Sequence, residues 1–399
     1  MTTQPVSRIS LPVHQSSSIA SYRKEDLDRL NETLSLFNQD QKSRKIPSAW
    51  YTDPQIYKAE LQEVFGRNWI GVGHVEQAPN PLTFFQEKID KKPLLVLKDK
   101  DANLRAFANV CRHSLYPVVK GASGVLEKDK DGNGILECKN HGWCYEPSGG
   151  QVCYIPEPGK MPGINKKDLS LIPFEVDKWG PLVFVRMEKD DDSPSLASVL
   201  APLIEQTANR DLSAFKWRKR IEYTLPCNWK VFVDNYDDGG YHVPVAHPAL
   251  AKGLDYDNYR TEIFEHTSLQ HTLTKDANDS TSAARNGAGA MYWWIFPNVM
   301  VNLYNNTMDT NIVIPLGVDK CKVIFDFYST DEVPIETYVD GAHVVQLEDE
   351  DLCLGMQSGL ESGICDPGPN MKRETGIRHF HELIAKNLMR FRDRVEKET

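Results

Sequence analysis

The stretch CKNHGWCY, residues 138–145, sets a cysteine and a histidine three positions apart among turn-forming residues. An earlier stretch, CRH at 111–113, sets a second cysteine two positions before a second histidine. Each stretch is short enough to form one tight loop, so the two loops together offer two thiolates and two imidazoles. Four such donors in one small region predict a metal centre.

Two kinds of centre use this donor set. In a Rieske [2Fe–2S] cluster, two histidines replace two cysteines on one of the irons, and a structural zinc site can also combine two cysteines with two histidines. Zinc fingers keep like ligands together, whereas each loop here carries one of each. The pattern favours the cluster, with zinc as the alternative, and the predicted ligands are Cys111, His113, Cys138 and His141.

The sequence around these loops predicts a small antiparallel β domain. Short β-rich runs such as PLLVLKD (93–99) and GPLVFVRM (180–187) alternate with clusters of Gly, Pro, Asp and Asn. The acidic, serine-containing stretch at 188–198 has the composition of a linker. We therefore predict a Rieske [2Fe–2S] domain, with a preceding segment, over residues 46–187.

An insertion between the two loops raises a separate question. Asp129, Asp131, Asn133 and Gly134 match the opening of a calcium-binding loop, but the twelfth position is Asn140 rather than the bidentate glutamate that such a loop needs. A polar hairpin is the other interpretation.

The second half of the chain mixes strands with helices. MYWWIFPNVMVNLY (291–304) and CKVIFDFYS (321–329) predict strands, while 340–360 and 374–396 predict helices. A length of 399 residues favours two domains. The predicted fold class is α+β, with a larger catalytic domain over residues 188–399.

Composition limits the class of protein. The net charge of −10 argues against a protein that binds the phosphate backbone of nucleic acids. No apolar run is long enough to cross a membrane. Eight cysteines without a secretory signal favour a reducing compartment, and we expect the cytoplasm. The first 24 residues contain no acid and are rich in serine, so a transit peptide to an organelle is the alternative. We predict a disordered tail and a short helix over residues 1–45.

A second metal centre is predicted by NYDDGGYHVPVAH, residues 235–247. His242 and His247 are five apart, and Pro244 between them predicts a helix that is either broken or only beginning there, which can direct both imidazoles to one point. Two histidines and one carboxylate with open positions are typical of non-haem Fe(II). The acidic run at 348–351 supplies candidates, of which Asp349 is our choice, although a solvated helix face also explains this run.

Taken together, CRH and CKNH, DNYDDGGYHVPVAH (234–247), QLEDEDLCLGMQSGL (346–360) and GIRHFHELI (376–384) resemble the Rieske non-haem iron oxygenases. The resemblance extends from about residue 46 to the end and is greatest to the choline monooxygenase branch and its relatives that oxidise quaternary ammonium compounds. It implies a helix-grip-like catalytic domain, with an antiparallel sheet and helices, that binds mononuclear iron through His242, His247 and Asp349.

The resemblance also implies how the two centres cooperate. Such enzymes use O2, receive electrons from a ferredoxin or a flavin-dependent reductase, and form homotrimers in which an acid bridges the cluster of one subunit and the iron of the next. Here that acid would be Asp238, with Asp237 as the alternative. The candidate catalytic residues are Asp238 and Asn235.

The substrate implied is a small quaternary ammonium compound, which aromatic faces can hold through cation–π contacts. The candidates are Tyr292, Trp293, Trp294, Phe296 and Tyr304, although an ordinary aromatic core strand also explains this run. We expect hydroxylation of choline to betaine aldehyde, a step in glycine betaine biosynthesis. The alternatives are N-demethylation of glycine betaine or carnitine, and, in another class, a Rieske electron carrier.

Overall fold

The computed structural model describes residues 24–39, 45–156, 165–272, 289–330 and 335–398. The predicted tail before residue 24 lies outside the described residues, whereas the short helix predicted after it is confirmed. The helices are α1 (Lys24–Gln39), α2 (Ala49–Thr52), α3 (Pro54–Arg67), α4 (Leu196–Val199), α5 (Ala201–Gln206), α6 (Trp229–Tyr236), α7 (Val243–Ala246), α8 (Pro248–Gly253), α9 (Glu336–Glu361) and α10 (Thr375–Glu398).

The described strands fall into three antiparallel sheets. Those before residue 190 are β1 (Ile70–His74), β2 (Thr83–Ile89), β3 (Lys92–Lys98), β4 (Leu104–Ala108), β5 (Ser123–Val125), β6 (Glu127–Lys128), β7 (Gly134–Glu137), β8 (Cys144–Tyr145), β9 (Val152–Tyr154), β10 (Pro173–Trp179) and β11 (Leu182–Arg186). Those after it are β12 (Lys216–Leu225), β13 (Arg260–Ile263), β14 (Thr267–Thr272), β15 (Ala290–Ile295), β16 (Val299–Leu303), β17 (Thr307–Gly317) and β18 (Lys320–Ser329).

The chain divides into two compact units. One contains Val72–Lys189, and in the other the described residues from Lys24 to Gly71 join those from Asp190 onward. The border falls inside the predicted linker. The segment 46–71 differs from the prediction, because its helix α3 packs in the second unit rather than with the cluster loops.

A buried ion pair explains why α3 stays in the second unit. Lys230 Nζ on α6 lies 2.7 Å from Glu60 on α3, and both side chains are fully buried. The indole of Trp229 also donates to Glu60 at 2.9 Å. Removing either charge by substitution would leave the other one buried without its partner, at a cost of about 3–5 kcal/mol.

The first unit is an antiparallel β domain, as predicted. A seven-stranded sheet has the order β1-β11-β10-β4-β3-β2-β5, and a four-stranded sheet has the order β6-β7-β8-β9. The two cysteine loops follow β4 and connect β7 to β8, and both cysteines belong to the hydrophobic core of this unit.

The insertion between the loops is a hairpin of β6 and β7. The carboxylate of Asp129 accepts hydrogen bonds from the backbone N–H groups of Asp131 and Asn133, at 2.9 and 2.8 Å. The same arrangement recurs at Asp99, which accepts from Asn103 at 2.9 Å in the β3–β4 turn. An acid that closes its own turn explains the motif, so the geometry favours the polar hairpin over calcium.

The second unit is built on a seven-stranded antiparallel sheet of order β12-β18-β17-β16-β15-β14-β13. The predicted helices near 340–360 and 374–396 are confirmed as α9 and α10. Helix α10 buries one face, formed by Ile377, Phe380, Ile384, Leu388, Phe391 and Val395, at the spacing of an amphipathic helix. The predicted α+β class is therefore confirmed. Within the described residues, no helix has both the length and the apolar character needed to cross a bilayer.

Candidate active site

The turn after α6 carries the two predicted imidazoles of the second unit. The chain reverses through Gly239 and Gly240, whose φ angles are +72° and +70°. A Cβ at Gly239 would lie 2.1 Å from the carbonyl oxygen of Arg373, so a larger residue does not fit. Helix α7 begins directly after His242 and ends directly before His247, so Pro244 stands in the first turn of a short helix, as one of the two predicted alternatives has it.

The side chains of three predicted metal ligands come together next to this turn. Nε2 of His247 lies 3.0 Å from Oδ1 of Asp349, and Nε2 of His242 lies 3.7 Å from the same oxygen. One donor atom of each of these three residues lies within 4.8 Å of the others. Asn235 on α6 donates to the same Asp349 oxygen at 2.7 Å and so fixes the carboxylate.

Each imidazole is held by a second carboxylate through its other ring nitrogen. Nδ1 of His242 lies 2.5 Å from Asp238, and Nδ1 of His247 lies 2.6 Å from Glu348. The carboxylates accept from Nδ1–H, so the proton of each ring is on Nδ1 and the lone pair of Nε2 is available to bind a metal. Metal-binding histidines take the same orientation.

The donor set fits a non-haem iron ion. Burial acts to lower the pKa of His247, but the carboxylates of Asp349 and Glu348 outweigh it, so the pKa of this imidazole is raised above its ordinary value. A positive charge is therefore favoured where the Nε2 atoms and Asp349 meet, and a metal cation can supply it. Two imidazoles and one carboxylate beside an open cavity are the typical arrangement for Fe(II) that reacts with O2.

The two neighbouring acids in this turn have different surroundings. Asp238 accepts from the backbone N–H of His242 at 2.9 Å as well as from its ring. Asp237 is fully buried and accepts instead from Ser268 at 2.7 Å, and burial raises its pKa well above the ordinary value. Only Asp238 contacts a proposed iron ligand, so the geometry favours it over Asp237 as the bridging acid.

A cavity of about 420 Å³ opens beside the three donors. Its roof is helix α9, and its floor is the inner face of the sheet. One row of the floor runs across four adjacent strands, from Asp309 through Asn302 and Tyr292 to Gln270, which are paired in that order. The cavity is of the size that small-molecule sites usually have.

The carboxylate of Asp309 is buried at the edge of this cavity and is surrounded by donors. Asn302 and Asn311 donate to it at 2.8 and 3.2 Å, and the Tyr338 hydroxyl donates to its other oxygen. Hydrogen-bond donors on both oxygens favour the ionised form of a carboxylate. The cavity therefore holds a fixed negative charge.

Tyrosines adjoin this charge. The rings of Tyr292 and Tyr304 meet edge to face with centroids 6.0 Å apart, and those of Tyr304 and Tyr338 at 5.6 Å. All three line the cavity. Four acids also line it, namely Asp238, Asp309, Glu348 and Asp349, and none of its described lining residues is a lysine or an arginine. A small organic cation suits these walls.

The aromatic run that begins on β15 supplies residues to both the cavity and the hydrophobic core. Tyr292 and Tyr304 line the cavity as predicted, but Trp293, Trp294 and Phe296 do not. Trp293 points to the opposite face and stacks on the Phe264 ring, with centroids 5.7 Å apart. Trp294 contacts Phe296 and, from α10, Phe380 at 5.4 Å. The prediction is therefore corrected at these three residues, which form core.

Several cavity residues were missed from the sequence. Asp309 is the third residue of strand β17 and is buried, and an acid inside a predicted strand is an unusual feature that could have identified it. Glu348 belongs to the acidic run at 348–351, from which the sequence predicts one metal ligand and no partner for an imidazole. Tyr338 and Gln346 carry no distinctive sequence pattern.

In the first unit the predicted cluster donors also come together. Cys111 and Cys138 are both 1% exposed, whereas His113 and His141 are exposed with ring centroids 4.5 Å apart. The Trp143 ring stacks on His113. Two thiols inside and two imidazoles outside suit a cluster with one iron on each side better than one tetrahedral zinc ion.

Hydrogen-bond donors surround the two sulfurs. The Tyr145 hydroxyl lies 3.1 Å from Sγ of Cys111, and the backbone N–H groups of Asn140 and His141 donate to Cys138. Burial raises the pKa of the Cys138 thiol. Because a metal is needed to hold such a thiol as thiolate, this donor set fits a bound cluster.

The chain matches known proteins over most of its length. Residues 68–169 match the Rieske [2Fe-2S] domain, and residues 212–389 match the ring hydroxylating alpha subunit (catalytic domain). The chain is 36% identical over 359 residues to the chloroplastic choline monooxygenase of Arabidopsis thaliana, covering 86% of this chain and 82% of that protein.

Two further comparisons concern other enzymes. The carnitine monooxygenase oxygenase subunit of Acinetobacter pittii is 26% identical, covering 86% of this chain and 94% of that protein. A quaternary ammonium Rieske monooxygenase, solved in a study of carnitine oxidation by gut microbiota and inter-subunit electron transfer, has a TM-score of 0.74 at 24% identity, covering 88% of this chain and 97% of that one.

Proposed function

The chain belongs to the Rieske non-haem iron oxygenases, and from this premise we propose that it hydroxylates choline, a small quaternary ammonium compound, to the hydrate of betaine aldehyde. The observation that carries the proposal is the cavity beside the proposed metal ligands, in which the buried carboxylate of Asp309 contacts the hydroxyl of Tyr338 and the Tyr338 ring contacts the Tyr304 ring. A trimethylammonium group offers no N–H to a hydrogen-bond acceptor, so charge and aromatic faces must hold it. A cation over a ring contributes about 0.5–2 kcal/mol.

The charge of the cavity favours choline over zwitterions. Glycine betaine and carnitine carry a carboxylate, which would lie in the same cavity as the Asp309 carboxylate, with no lysine or arginine among the described lining residues. Like charges at short range cost free energy, and an unpaired carboxylate is costly to bury. N-demethylation of such a compound is the second candidate, and it is favoured only by the similarity to carnitine monooxygenase.

The enzyme uses a Rieske [2Fe–2S] cluster and a mononuclear iron. We propose Cys111, His113, Cys138 and His141 as the cluster ligands and His242, His247 and Asp349 as the iron ligands. When bound, these groups supply reductive activation of O2 with electrons from an external donor, for which we propose a ferredoxin or a flavin-dependent reductase. Overall, choline, O2, two electrons and two protons give the aldehyde hydrate and water.

The protein residues prepare this reaction by holding protons and orientations. The carboxylates of Asp238 and Glu348 hold the imidazole proton on the Nδ1 atoms of His242 and His247. Asn235 holds the Asp349 carboxylate at 2.7 Å. These contacts fix the donor atoms before substrate arrives, so little reorganisation is needed when it binds.

We further propose a homotrimer in which Asp238 links His242 to a cluster histidine of a neighbouring subunit. In support, His113 and His141 are exposed in the first unit, and apolar Tyr241 and Val245 are 51% and 87% exposed beside His242 in the second. Asp238→Asn should abolish turnover while both metals stay bound and the trimer persists on light scattering. Normal turnover in this variant would exclude the bridging role.

A single-turnover assay tests the function without the native reductase. The holoenzyme is reduced chemically and exposed to O2 with choline, glycine betaine or carnitine. Betaine aldehyde from choline supports the proposal, whereas formaldehyde from any of them indicates demethylation. An electron carrier would contain only the cluster, so about three irons and two acid-labile sulfides per chain would exclude it.

We propose the cytoplasm as the location, with an organelle as the alternative, since the plant relative is chloroplastic. The amino-terminal segment that bears on this lies outside the described residues. A fusion of the full chain to a fluorescent protein, compared with one starting at residue 46, tests both options by where the fluorescence accumulates.

A further inference from the structure

Two polar groups in the cavity are left without a partner. Most of its polar side chains bond to one another, but Nε2 of Gln346 and the hydroxyl of Tyr292 are buried with no hydrogen-bond partner among the described residues. Gln346 as a whole is only 2% exposed. An unsatisfied buried donor costs about 1–3 kcal/mol, so each group indicates a ligand that completes it.

These groups lie at different parts of the cavity. Tyr292 stands on the sheet in the row that begins at Asp309 and contacts the Tyr304 ring, so it adjoins the charged part. Gln346 stands on helix α9 three residues before Asp349, so both side chains project from the same face of the helix. Gln346 therefore adjoins the metal donors.

Other amide side chains of the cavity have hydrogen-bond partners, which makes the unpaired amide N–H of Gln346 more significant. Gln270, the other cavity glutamine, donates to the Tyr236 carbonyl at 2.8 Å and accepts from Tyr259 at 3.1 Å. Asn302 likewise donates to Asp309 and accepts from Tyr236. The fold thus completes the other amides and leaves this donor open beside the iron site.

Building on the proposed function, we propose that Gln346 recognises the hydroxyl group of the substrate. Its Nε2–H donates to the hydroxyl oxygen, while Asp309 and the tyrosines hold the ammonium group. The carbon that bears the hydroxyl is then the carbon presented to the iron, and the N-methyl groups are held away from it. Gln346 is thus a specificity-determining residue that selects which C–H bond reacts.

Comparing choline with ethyltrimethylammonium, which lacks only the hydroxyl, isolates this contact. Both ligands are titrated into the anaerobic holoenzyme by calorimetry. The wild type should bind choline roughly tenfold more tightly, as expected for one hydrogen bond to a buried donor, and in Gln346→Met the two affinities should become equal. In turnover, the variant should release a larger share of formaldehyde from choline.

Gln357→Met is the matched control on the same helix. Gln357 is also buried, but it accepts from Asn228 at 2.9 Å and donates to Glu361 at 2.7 Å, and it does not line the cavity. This variant should lower the melting temperature and keep the tenfold preference. Gln346→Met should keep or raise the melting temperature, because it removes an unsatisfied donor.

The outcomes separate this inference from the proposed function. If the wild type binds both ammonium ions equally, or if Gln346→Met keeps the preference for choline, the hydroxyl contact is wrong while the cation site stands. If the wild type binds neither ion, the proposed function fails. A lower melting temperature in Gln346→Met with an unchanged preference would assign the residue a structural role only.

Discussion

Replacing Asp309 by asparagine removes the fixed charge of the cavity and keeps the shape of the side chain. The amide oxygen can still accept from Asn302 and Asn311, and the Tyr338 hydroxyl can turn to accept from the new NH2 group. The variant should therefore fold and bind both metals. Its effect on substrate binding then reports the charge.

The size of the effect follows from Coulomb's law. A cation about 5 Å from the carboxylate gains about 3 kcal/mol at an effective dielectric constant of about 20. Loss of that attraction raises the Kd for choline roughly a hundredfold. The tyrosine rings retain about 0.5–2 kcal/mol of cation binding, so weak binding persists.

A neutral analogue separates charge from packing. In 3,3-dimethylbutan-1-ol a carbon replaces the ammonium nitrogen, so Asp309→Asn should leave its Kd unchanged or lower it. Both ligands are measured by calorimetry on the anaerobic holoenzyme. An equal loss for choline and for the neutral analogue would refute the role of the charge.

Asp326→Asn is the matched control for this variant. Asp326 is a buried acid on the neighbouring strand β18, but it pairs with Arg220 at 2.7 Å and does not line the cavity. Its loss should lower stability and leave the discrimination between choline and the neutral analogue as in the wild type.

Three further predictions concern the cluster and the fold. Tyr145→Phe removes the hydroxyl 3.1 Å from the Cys111 sulfur, which should lower the reduction potential in a redox titration by roughly 40 mV, and an unchanged potential would rule the contact out as a determinant. Glu60→Gln leaves Lys230 buried without its counter-charge and should cost about 3–5 kcal/mol in denaturant unfolding; a loss under about 1 kcal/mol would contradict this. Burial lowers the pKa of His379 to about 4, so between pH 6.5 and pH 4 this side chain is protonated in the unfolded chain but not in the folded one. The free energy of unfolding should therefore fall by about 3 kcal/mol as the pH drops through that range. His379→Gln should remove this pH dependence.

The metal donors could be predicted from local sequence because each pair lies on one loop. Cys111 with His113, and His242 with His247, are close along the chain, and residue type and spacing alone restrict what they bind. Asp349 lies on a distant helix, and only the resemblance to a family selected it from four acids in a row. The structure brings it within 3.0 Å of His247, which no local pattern encodes.

The substrate cavity could not be predicted in the same way. Its floor is a row of residues from four strands, so its composition depends on strand register, which the sequence does not reveal. Trp293 and Trp294 illustrate the difficulty, since the same aromatic run supplies a cavity residue at Tyr292 and core residues immediately after it. Asp309 was missed because two of its partners, Asn302 and Tyr338, come from other elements of the fold.

The most direct measurement is a single turnover of the reduced holoenzyme with choline that carries two deuterium atoms on the hydroxyl-bearing carbon. Hydroxylation of that carbon predicts betaine aldehyde that retains one deuterium and forms only when O2 is added. Formaldehyde without betaine aldehyde, or no product from enzyme with both metal sites filled, would contradict the account.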